Sequence, residues 1–312
     1  MNIKKIGLSA LAGSLVTTSA FAGAMSVAGS ASMNVEHTNG GFGNAGKTFS
    51  MSNQLTFSGS GELDNGMNVS LSFILDQGDV TAVSSGPFVS HSVSVSSDTL
   101  GTLKFSGEGG SSATSALDAT AAGDVWDNFD GTGDITPTGI GTGNNMFMYT
   151  LPTLMDDLSV NISYLPNTTG ADTAIGYSAT FSGVDGLSVS YGTGDGTDDA
   201  TDATALKASY AYGPVTVAWS NYEYDTTGTS SDNDTTSYKV TYTVSDDLSI
   251  SYGAETIEEG TSSDVETDSI KASYTTGGMT ISLASEEIQN SAGGTAATQD
   301  RERWALGASF AF

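Results

Sequence analysis

The chain has 312 residues, with 36 Asp and Glu, 9 Lys and Arg, two histidines (His37 and His91) and no cysteine. A formal net charge of −27 argues against nucleic acid as a partner, because phosphate binding needs clustered basic side chains. The lack of cysteine excludes disulfide frameworks, iron–sulfur clusters and zinc sites with thiolate ligands. Charged residues make up only 14% of the chain, and the polar remainder is Gly, Ser, Thr and Asn, which is typical of strands and turns.

The first 22 residues have the pattern of a secretory signal peptide. A lysine pair at 4–5 precedes an apolar run at 6–16, and Ala-Phe-Ala at 20–22 follows as a cleavage site. The apolar run is shorter than the roughly 18 residues that a transmembrane helix needs, and no later stretch reaches that length. We therefore predict a signal peptide at 1–22 and a single domain at 23–312, which can cross a bilayer only as a barrel.

After residue 24, apolar and polar residues alternate almost everywhere, as in Met-Asn-Val-Ser-Leu-Ser-Phe at 67–73. This alternation is the period of a strand with one apolar face. It predicts an all-β chain of about sixteen strands, each near the ~9 to 11 residues that a tilted membrane strand needs. The predicted strands are 25–37, 49–60, 66–76, 88–97, 101–108, 145–151, 157–165, 173–182, 186–192, 203–212, 214–224, 235–245, 247–256, 267–276, 279–288 and 303–312.

The connections between these strands alternate between short turns and long polar segments. Short turns are predicted at 64–66, 98–101, 184–186, 213–214, 245–247 and 277–278. Between them lie longer segments rich in Gly, Asp, Thr and Ser, such as 193–202, 225–234, 257–266 and 289–302. Short turns at one end and long loops at the other are typical of an outer-membrane β-barrel.

The two faces of the strands favour a membrane barrel over a soluble sandwich. The polar face is made of Ser, Thr, Asn and Gly with few charges, whereas a water-exposed sheet face normally carries many Lys and Glu. Aromatic residues gather on the apolar face near the strand ends, and two such girdles match a lipid-facing surface. They are Tyr164, Tyr191 and Tyr252 at the loop end, and Phe181, Tyr210, Tyr242, Tyr274 and Phe312 at the turn end.

These features together resemble a general porin of the Gram-negative outer membrane, over essentially the whole mature chain. The resemblance rests on the signal peptide, the strand count, the alternating connections and the last strand at 303–312. That strand ends in Phe310 and Phe312, as in the C-terminal signature by which barrel-assembly machinery recognises its clients. The resemblance implies a transmembrane antiparallel barrel, integral to the outer membrane and surrounded by its lipid. It also implies a homotrimer whose third loop folds inward and narrows each pore.

The third loop would be 109–144, by far the longest stretch without alternation. A structureless loop of that length is usually functional or disordered. Its acids, with one at its entrance, are predicted to lie at the constriction: Glu108, Asp118, Asp124, Asp127, Asp130 and Asp134. A solvated acidic surface loop is the alternative.

Three of the loop acids, Asp127, Asp130 and Asp134, have oxygen ligands suited to Ca²⁺. The segment lacks the EF-hand spacing and its late Glu, so solvated acids are favoured over a bound ion. No other cofactor is expected.

Five basic residues are predicted to line the pore: Lys104, Lys207, Lys239, Lys271 and Arg303. Each lies at an odd offset from an outward-facing apolar residue, which puts it on the opposite face of its strand. The last four are each 32 residues apart and fall on alternate strands of one wall. The resemblance implies that a basic wall faces an acidic loop, although porins usually use clustered arginines there. A coincidental scatter of lumenal charges is the alternative.

The sequence therefore predicts a passive diffusion channel for ions and small hydrophilic solutes, in which pore radius and fixed charge select the solute. The excess of acids favours cations. The shortage of histidine and the lack of G-x-S-x-G and H-E-x-x-H motifs argue against an enzyme. A substrate-specific outer-membrane channel and a secreted acidic β-rich adhesin or surface protein are the alternatives.

Overall fold

The described part of the chain forms one closed antiparallel barrel. A computed structural model describes residues 25–39, 46–76, 88–129, 143–166, 173–196, 201–226, 232–259, 263–291 and 300–312. Each strand pairs with its neighbours in sequence, and β1 pairs with β16 to close the ring. The strands are β1 Met25–Asn39, β2 Gly46–Glu62, β3 Asn68–Asp76, β4 Phe88–Ser97, β5 Gly101–Glu108, β6 Met146–Thr150, β7 Leu158–Leu165, β8 Ala174–Val184, β9 Leu187–Asp195, β10 Thr201–Tyr212, β11 Val215–Thr226, β12 Asn233–Ser245, β13 Leu248–Glu259, β14 Val265–Thr276, β15 Met279–Gln289 and β16 Arg301–Ala311.

All sixteen predicted strands are confirmed, and the differences lie mostly at the loop ends. There β2 starts at Gly46, three residues before the predicted 49–60. At the same end β13 runs on to Glu259, beyond the predicted 247–256. The backbone pairing continues beyond the alternating part of each strand, because ladder hydrogen bonds do not require an apolar outer face. Alternation therefore marks the lipid-spanning part of a strand better than its full length.

The connections alternate in length as predicted. Seven short ones, of two to seven residues, join the strands at one end of the barrel: 63–67, 98–100, 151–157, 185–186, 213–214, 246–247 and 277–278. In two of them, Gly213 and Gly277 adopt φ of 57°, a left-handed conformation that favours glycine. Among the described residues, no helix has the length and apolar character needed to cross a membrane.

The strands are tilted, as the cross-strand partners show. One row of cross-strand partners begins at the first residue of β1, at the turn end. Ten strands away it reaches the penultimate residue of β11, near the loop end. Rows therefore rise toward the loop end by about one residue per strand, the stagger that barrel closure requires. The row is Met25, Gly59, Leu71, Val93, Phe105, Phe147, Tyr164, Ile175, Asp195, Asp202 and Asp225.

The two faces of the barrel have different chemistry. The outer face exposes aliphatic side chains, for example Val240, Ile270 and Leu283. The predicted tyrosines of both girdles lie on the same face and are 42% to 50% exposed. The opposite, lumenal face carries rows such as Lys207, Ser220, Ser237, Glu255 and Thr267, which are direct cross-strand partners. Burial inside the barrel comes from a segment that packs against this face.

The C-terminal residue takes part in closing the ring. Phe312 N donates to Gly29 O at 2.9 Å, and Gly29 N donates to Phe312 O at 2.6 Å. The Phe312 ring lies over Gly29, where an added Cβ would approach the ring to 2.3 Å. Glycine at this position therefore leaves room for the terminal aromatic ring. Recognition of Phe310 and Phe312 by assembly machinery stays a prediction.

Candidate functional site

Residues 109–129 follow β5, and we call them the β5–β6 segment. They contain two 3₁₀ turns, Ser115–Leu117 and Val125–Asn128. Between these turns, Thr120 closes a small ring with Asp124, which has a left-handed φ of 50°. The Thr120 hydroxyl accepts from the amides of Gly123 (3.1 Å) and Asp124 (2.9 Å), and the Thr120 amide donates to Asp124 Oδ1 at 2.9 Å. The segment thus has a fixed local shape without a long helix.

The backbone of the β5–β6 segment hydrogen-bonds to serines on the lumenal face. The amide of Ala121 donates to Ser220 Oγ on β11, and the amide of Ala122 donates to Ser237 Oγ on β12, both at 2.9 Å. Nearer its start, the Ala113 amide donates to Ser163 Oγ on β7 at 2.9 Å. Small hydroxyl side chains therefore satisfy backbone groups that a loop packed against a sheet would otherwise bury without partners.

Two larger side chains of the wall hold carbonyl groups of the same segment. The Tyr222 hydroxyl on β11 donates to the carbonyls of Leu117 and Ala119. The Lys207 ammonium on β10 also donates to the carbonyl of Ala119. Lys207 thus anchors the segment as well as lining the wall.

An acidic side chain on β13 binds the tip of the segment. The carboxylate of Glu255 accepts from the Thr120 hydroxyl, from the Val125 amide at 2.8 Å and from the Trp126 amide at 3.3 Å. The Thr267 hydroxyl on β14 adds a fourth bond at 3.2 Å. Glu255 is only 2% exposed, so this carboxylate is a buried part of the wall.

An apolar cluster completes the docking. Side chains of the segment pack against side chains at the loop ends of β13, β14 and β15, and all are less than 9% exposed: Ala122, Val125, Trp126, Phe129, Ile257, Val265 and Ile288. The Arg301 guanidinium on β16 lies 5.4 Å from the centre of the Phe129 ring, within the range of a cation–π contact. Apolar burial therefore adds to the hydrogen bonds that hold the segment.

Lumenal glycines leave room for the segment. A Cβ added at Gly253 would lie 2.7 Å from the Ala122 Cβ, and one at Gly192 would lie 2.9 Å from Leu117 Cδ1. A Cβ at Gly194 would lie 2.8 Å from the Thr114 hydroxyl. Gly192 and Gly194 are thus explained by the close approach of side chains of the segment.

Three of the predicted basic residues lie at a similar height along the barrel. When the cross-strand partners of Lys207 are followed to β12, Lys239 lies two residues nearer the turn end than the partner found there. When the partners of Lys239 are followed to β14, Lys271 again lies two residues nearer the turn end. This offset compensates for the climb of the rows. Arg303 departs from the line, because it lies two residues nearer the loop end than the row of Lys271. Lys104 lies on β5, away from this wall.

Acids on the wall itself neutralise two of these bases. Glu286 lies 3.1 Å from the Lys271 ammonium and 2.5 Å from the Arg303 guanidinium, and it is 1% exposed. Arg303 also contacts Glu36 on β1 at 2.5 Å. Lys239 has no ion-pair partner within the described ranges. The wall is therefore a mixed row of both signs, and its basic character is weaker than the sequence alone indicates.

Four of the predicted constriction acids lie within the described residues. Asp118, Asp124 and Asp127 lie on the β5–β6 segment. Glu108 lies 3.8 Å from His91, which is on the apolar face of β4, because a register shift at His91/Ser92 sets the two residues opposite each other.

Two of the predicted acids, Asp130 and Asp134, fall outside the described residues. In the part of the chain that the structure describes, no three His, Asp or Glu side chains are grouped as ligands for a metal ion. Because two of its three ligands lie outside the described residues, the weak calcium candidate stays an expectation, with solvated acids favoured over a bound ion.

Comparison with known proteins identifies the family. A family model for Gram-negative porins matches residues 7–267. The chain belongs to the Gram-negative porin family. Among curated proteins, none matches the chain.

Solved structures of low sequence identity share the fold of this porin. A variant of the Rhodopseudomonas blastica porin superposes with a TM-score of 0.69 at 14% identity, over 93% of this chain and 100% of that one. A triple mutant of the same porin gives 0.69 at 15% identity, with the same coverage. A protein from work on the asymmetric conductivity of engineered proteins gives 0.70 at 15% identity, again over 93% and 100%. The porin is thus an integral outer-membrane protein with a sixteen-stranded barrel.

Sequence reasoning missed the residues that dock the segment in this porin. Glu255 and Glu286 accept hydrogen bonds from the segment, but the sequence does not give the strand register that brings them to it. The pairing of Glu36 with Arg303 depends on register in the same way. A usable signal was present at Ile257, Val265 and Ile288, which are apolar residues on the polar face of their strands. An apolar residue on the lumenal face near a loop end indicates that another part of the chain packs on it from inside the barrel.

The placement of the segment can be tested by disulfide trapping, because the porin has no native cysteine. We expect Ala122→Cys combined with Ser237→Cys to form a disulfide on mild oxidation, since the Ala122 amide bonds to Ser237 Oγ. The measurement is the mobility shift on a non-reducing gel. The matched control combines Ala122→Cys with Ser92→Cys on the lumenal face of β4. Equal cross-linking in both pairs would contradict the docking described here.

Proposed function

We propose that this porin is a water-filled channel for passive diffusion of ions and small hydrophilic solutes, with a preference for cations. The observation that carries the proposal is the lumenal face, which is hydroxylic around a closed barrel. On β1 and β2, for example, Ser26 bonds to Ser58 at 2.7 Å and Ser32 to Ser52 at 2.6 Å. Such a wall keeps water inside while the aliphatic face contacts lipid.

The β5–β6 segment supports a size limit. It packs along the inner faces of β7 to β15 and reaches from Ser163 to Glu286, to which Asn128 donates at 3.2 Å. A chain segment inside the barrel takes up cross-section that water would otherwise fill. We infer that it narrows the channel toward the wall formed by β1 to β5.

Charge supports the cation preference. The chain has 36 acids against 9 bases, and the lumenal bases Lys271 and Arg303 are paired with acids. At the loop end, one recess is lined by acidic side chains and one asparagine: Glu223, Asp225, Asp232, Asn233, Asp234, Glu258 and Asp264. An acidic entrance concentrates cations and repels anions.

Reversing the charge of Lys239 tests the ion preference. We expect Lys239→Glu to raise the cation-to-anion permeability ratio about twofold, because it removes an unpaired lumenal cation and adds an anion. The measurement is the reversal potential of purified porin in a planar bilayer across a salt gradient. Lys47→Glu, the same change on the outer face of β2, is the control and should leave the ratio unchanged. Anion preference in the unaltered porin would contradict the proposed selectivity.

We further propose a homotrimer that buries the outer face of β1 to β5. All 12 tyrosines follow residue 148, so these five strands carry none of the interfacial tyrosines found elsewhere on the barrel. Instead the arc exposes Phe49 (83%) and Met51 (65%) and includes the His91–Glu108 pair. An apolar groove at its edge is lined by Met33, Asn34, Val35, Phe49, Ile281, Leu306, Gly307 and Ala308. A neighbouring protein surface suits this arc better than lipid headgroups do.

A bulky apolar substitution distinguishes a protein contact from a lipid contact. We expect Met33→Trp to reduce the trimer fraction strongly, because overpacking destabilises a close-packed interface. Ile270→Trp on β14 is the matched control, since its site is 59% exposed on the tyrosine-bearing arc and lipid adapts to the larger ring. Chemical cross-linking in detergent measures the trimer. Equal trimer fractions in both variants would contradict an interface at Met33.

A further inference from the structure

Glu255 is a buried carboxylate whose charge is stabilised by neutral donors. It is 2% exposed, and its four bonds come from two hydroxyls and two backbone amides, of Thr120, Thr267, Val125 and Trp126. Within the described residues, no Lys, Arg or His lies at ion-pair distance from it. Glu286 differs, because Lys271 and Arg303 both contact it.

The donors around Glu255 suit only the ionised carboxylate. Backbone amides donate and cannot accept, and the Thr120 oxygen already accepts from the amides of Gly123 and Asp124. The Thr120 proton therefore points to Glu255. A protonated carboxyl would bring an additional hydrogen into a site whose neighbours donate. That conflict removes hydrogen bonds at the point where the segment joins the wall.

We propose that Glu255 is the positioning residue of the pore, and that its protonation releases the part of the β5–β6 segment at 118–128 from the wall. This rests on the proposed function, in which that segment narrows the channel. The other polar contacts of this part are to Ser220, Ser237, Lys207 and Tyr222, and from Asn128 to Glu286. Glu255 accepts three bonds from it, and the loss of these bonds makes the channel sensitive to external acid.

Other ionisable groups surround this site and need controls. On the segment they are Asp118, Asp124 and Asp127. On the lumenal face of the strands packed around Glu255 they are Lys207, Tyr222, Lys239, Lys271, Glu286, Arg301 and Arg303. Asp124 is the critical one, because it lies in the same ring of hydrogen bonds. Asp124→Asn keeps an oxygen for the Thr120 amide and tolerates the left-handed φ.

Trp126 reports release directly. It is 7% exposed within the apolar cluster, and the other two tryptophans can be removed by Trp219→Phe and Trp304→Phe. On acidification from about pH 7.5 to about pH 4, where a carboxylate titrates, we expect a red shift of Trp126 emission. The acrylamide quenching constant should rise roughly two- to fivefold as the segment opens.

Variants in the same single-tryptophan background identify the titrating group. Glu255→Gln should show the released spectrum at every pH, because its amide adds donors to a donor-only site. Asp124→Asn should keep the pH transition of the parent. Glu36→Gln is the matched control for loss of a lumenal carboxylate, since Glu36 contacts Arg303 and no residue of the segment in the described ranges. It should also keep the transition.

The proposal is overturned by a pH-independent Trp126 spectrum in the parent, a result that does not depend on any Glu255 variant folding. It is equally overturned if Asp124→Asn or Glu36→Gln abolishes the transition, or if folded Glu255→Gln protects Trp126 as the parent does. Heat-dependent gel mobility establishes folding. Conductance at neutral pH tests the channel separately, so loss of the channel and loss of the acid response are distinguishable.

Discussion

The structure depends on one requirement, that every backbone amide and carbonyl in contact with hydrocarbon has a partner within the protein. Lipid offers no hydrogen bonds, and a closed ring of strands is the sheet that leaves no edge unpaired. The pairing of β1 with β16, extended to the Gly29–Phe312 bonds, meets this requirement. Closure also separates two environments. The aliphatic residues of the alternating strands face outward, and their hydroxyl residues face the lumen.

The inner face has two roles that its composition alone does not distinguish. On β1 and β2, serines bond to one another across strands and face the open lumen. Around β7 to β15, similar serines accept from the backbone of the β5–β6 segment, and glycines make room for it. The same small polar residues thus suit both water and a docked chain. Among the described residues, the buried acids Glu255 and Glu286 lie where the segment is docked and where bases converge.

The sequence predicts strands and faces well because both follow from a period of two that each strand carries by itself. The lumenal position of Lys207, Lys239 and Lys271 follows from the same parity. Ion pairs do not follow, because contact between Arg303 and Glu286 depends on the register of β15 with β16. The contact of Glu108 with His91 does not follow either, because it depends on a register shift at His91 that the alternation does not show. Docking of the segment could not be predicted from local pattern, since its hydrogen-bond partners on the barrel wall lie 50 to 158 residues away in the sequence.

The outer face of the barrel contacts lipid, and the β5–β6 segment does not. Tryptophan quenching by lipids brominated in their acyl chains tests it directly, with three single-tryptophan proteins reconstituted in vesicles. We predict strong quenching of Trp219 and Trp304, which lie on the outer face, and little quenching of Trp126, which is buried against the lumenal wall. Quenching of Trp126 as strong as that of the other two would contradict this prediction.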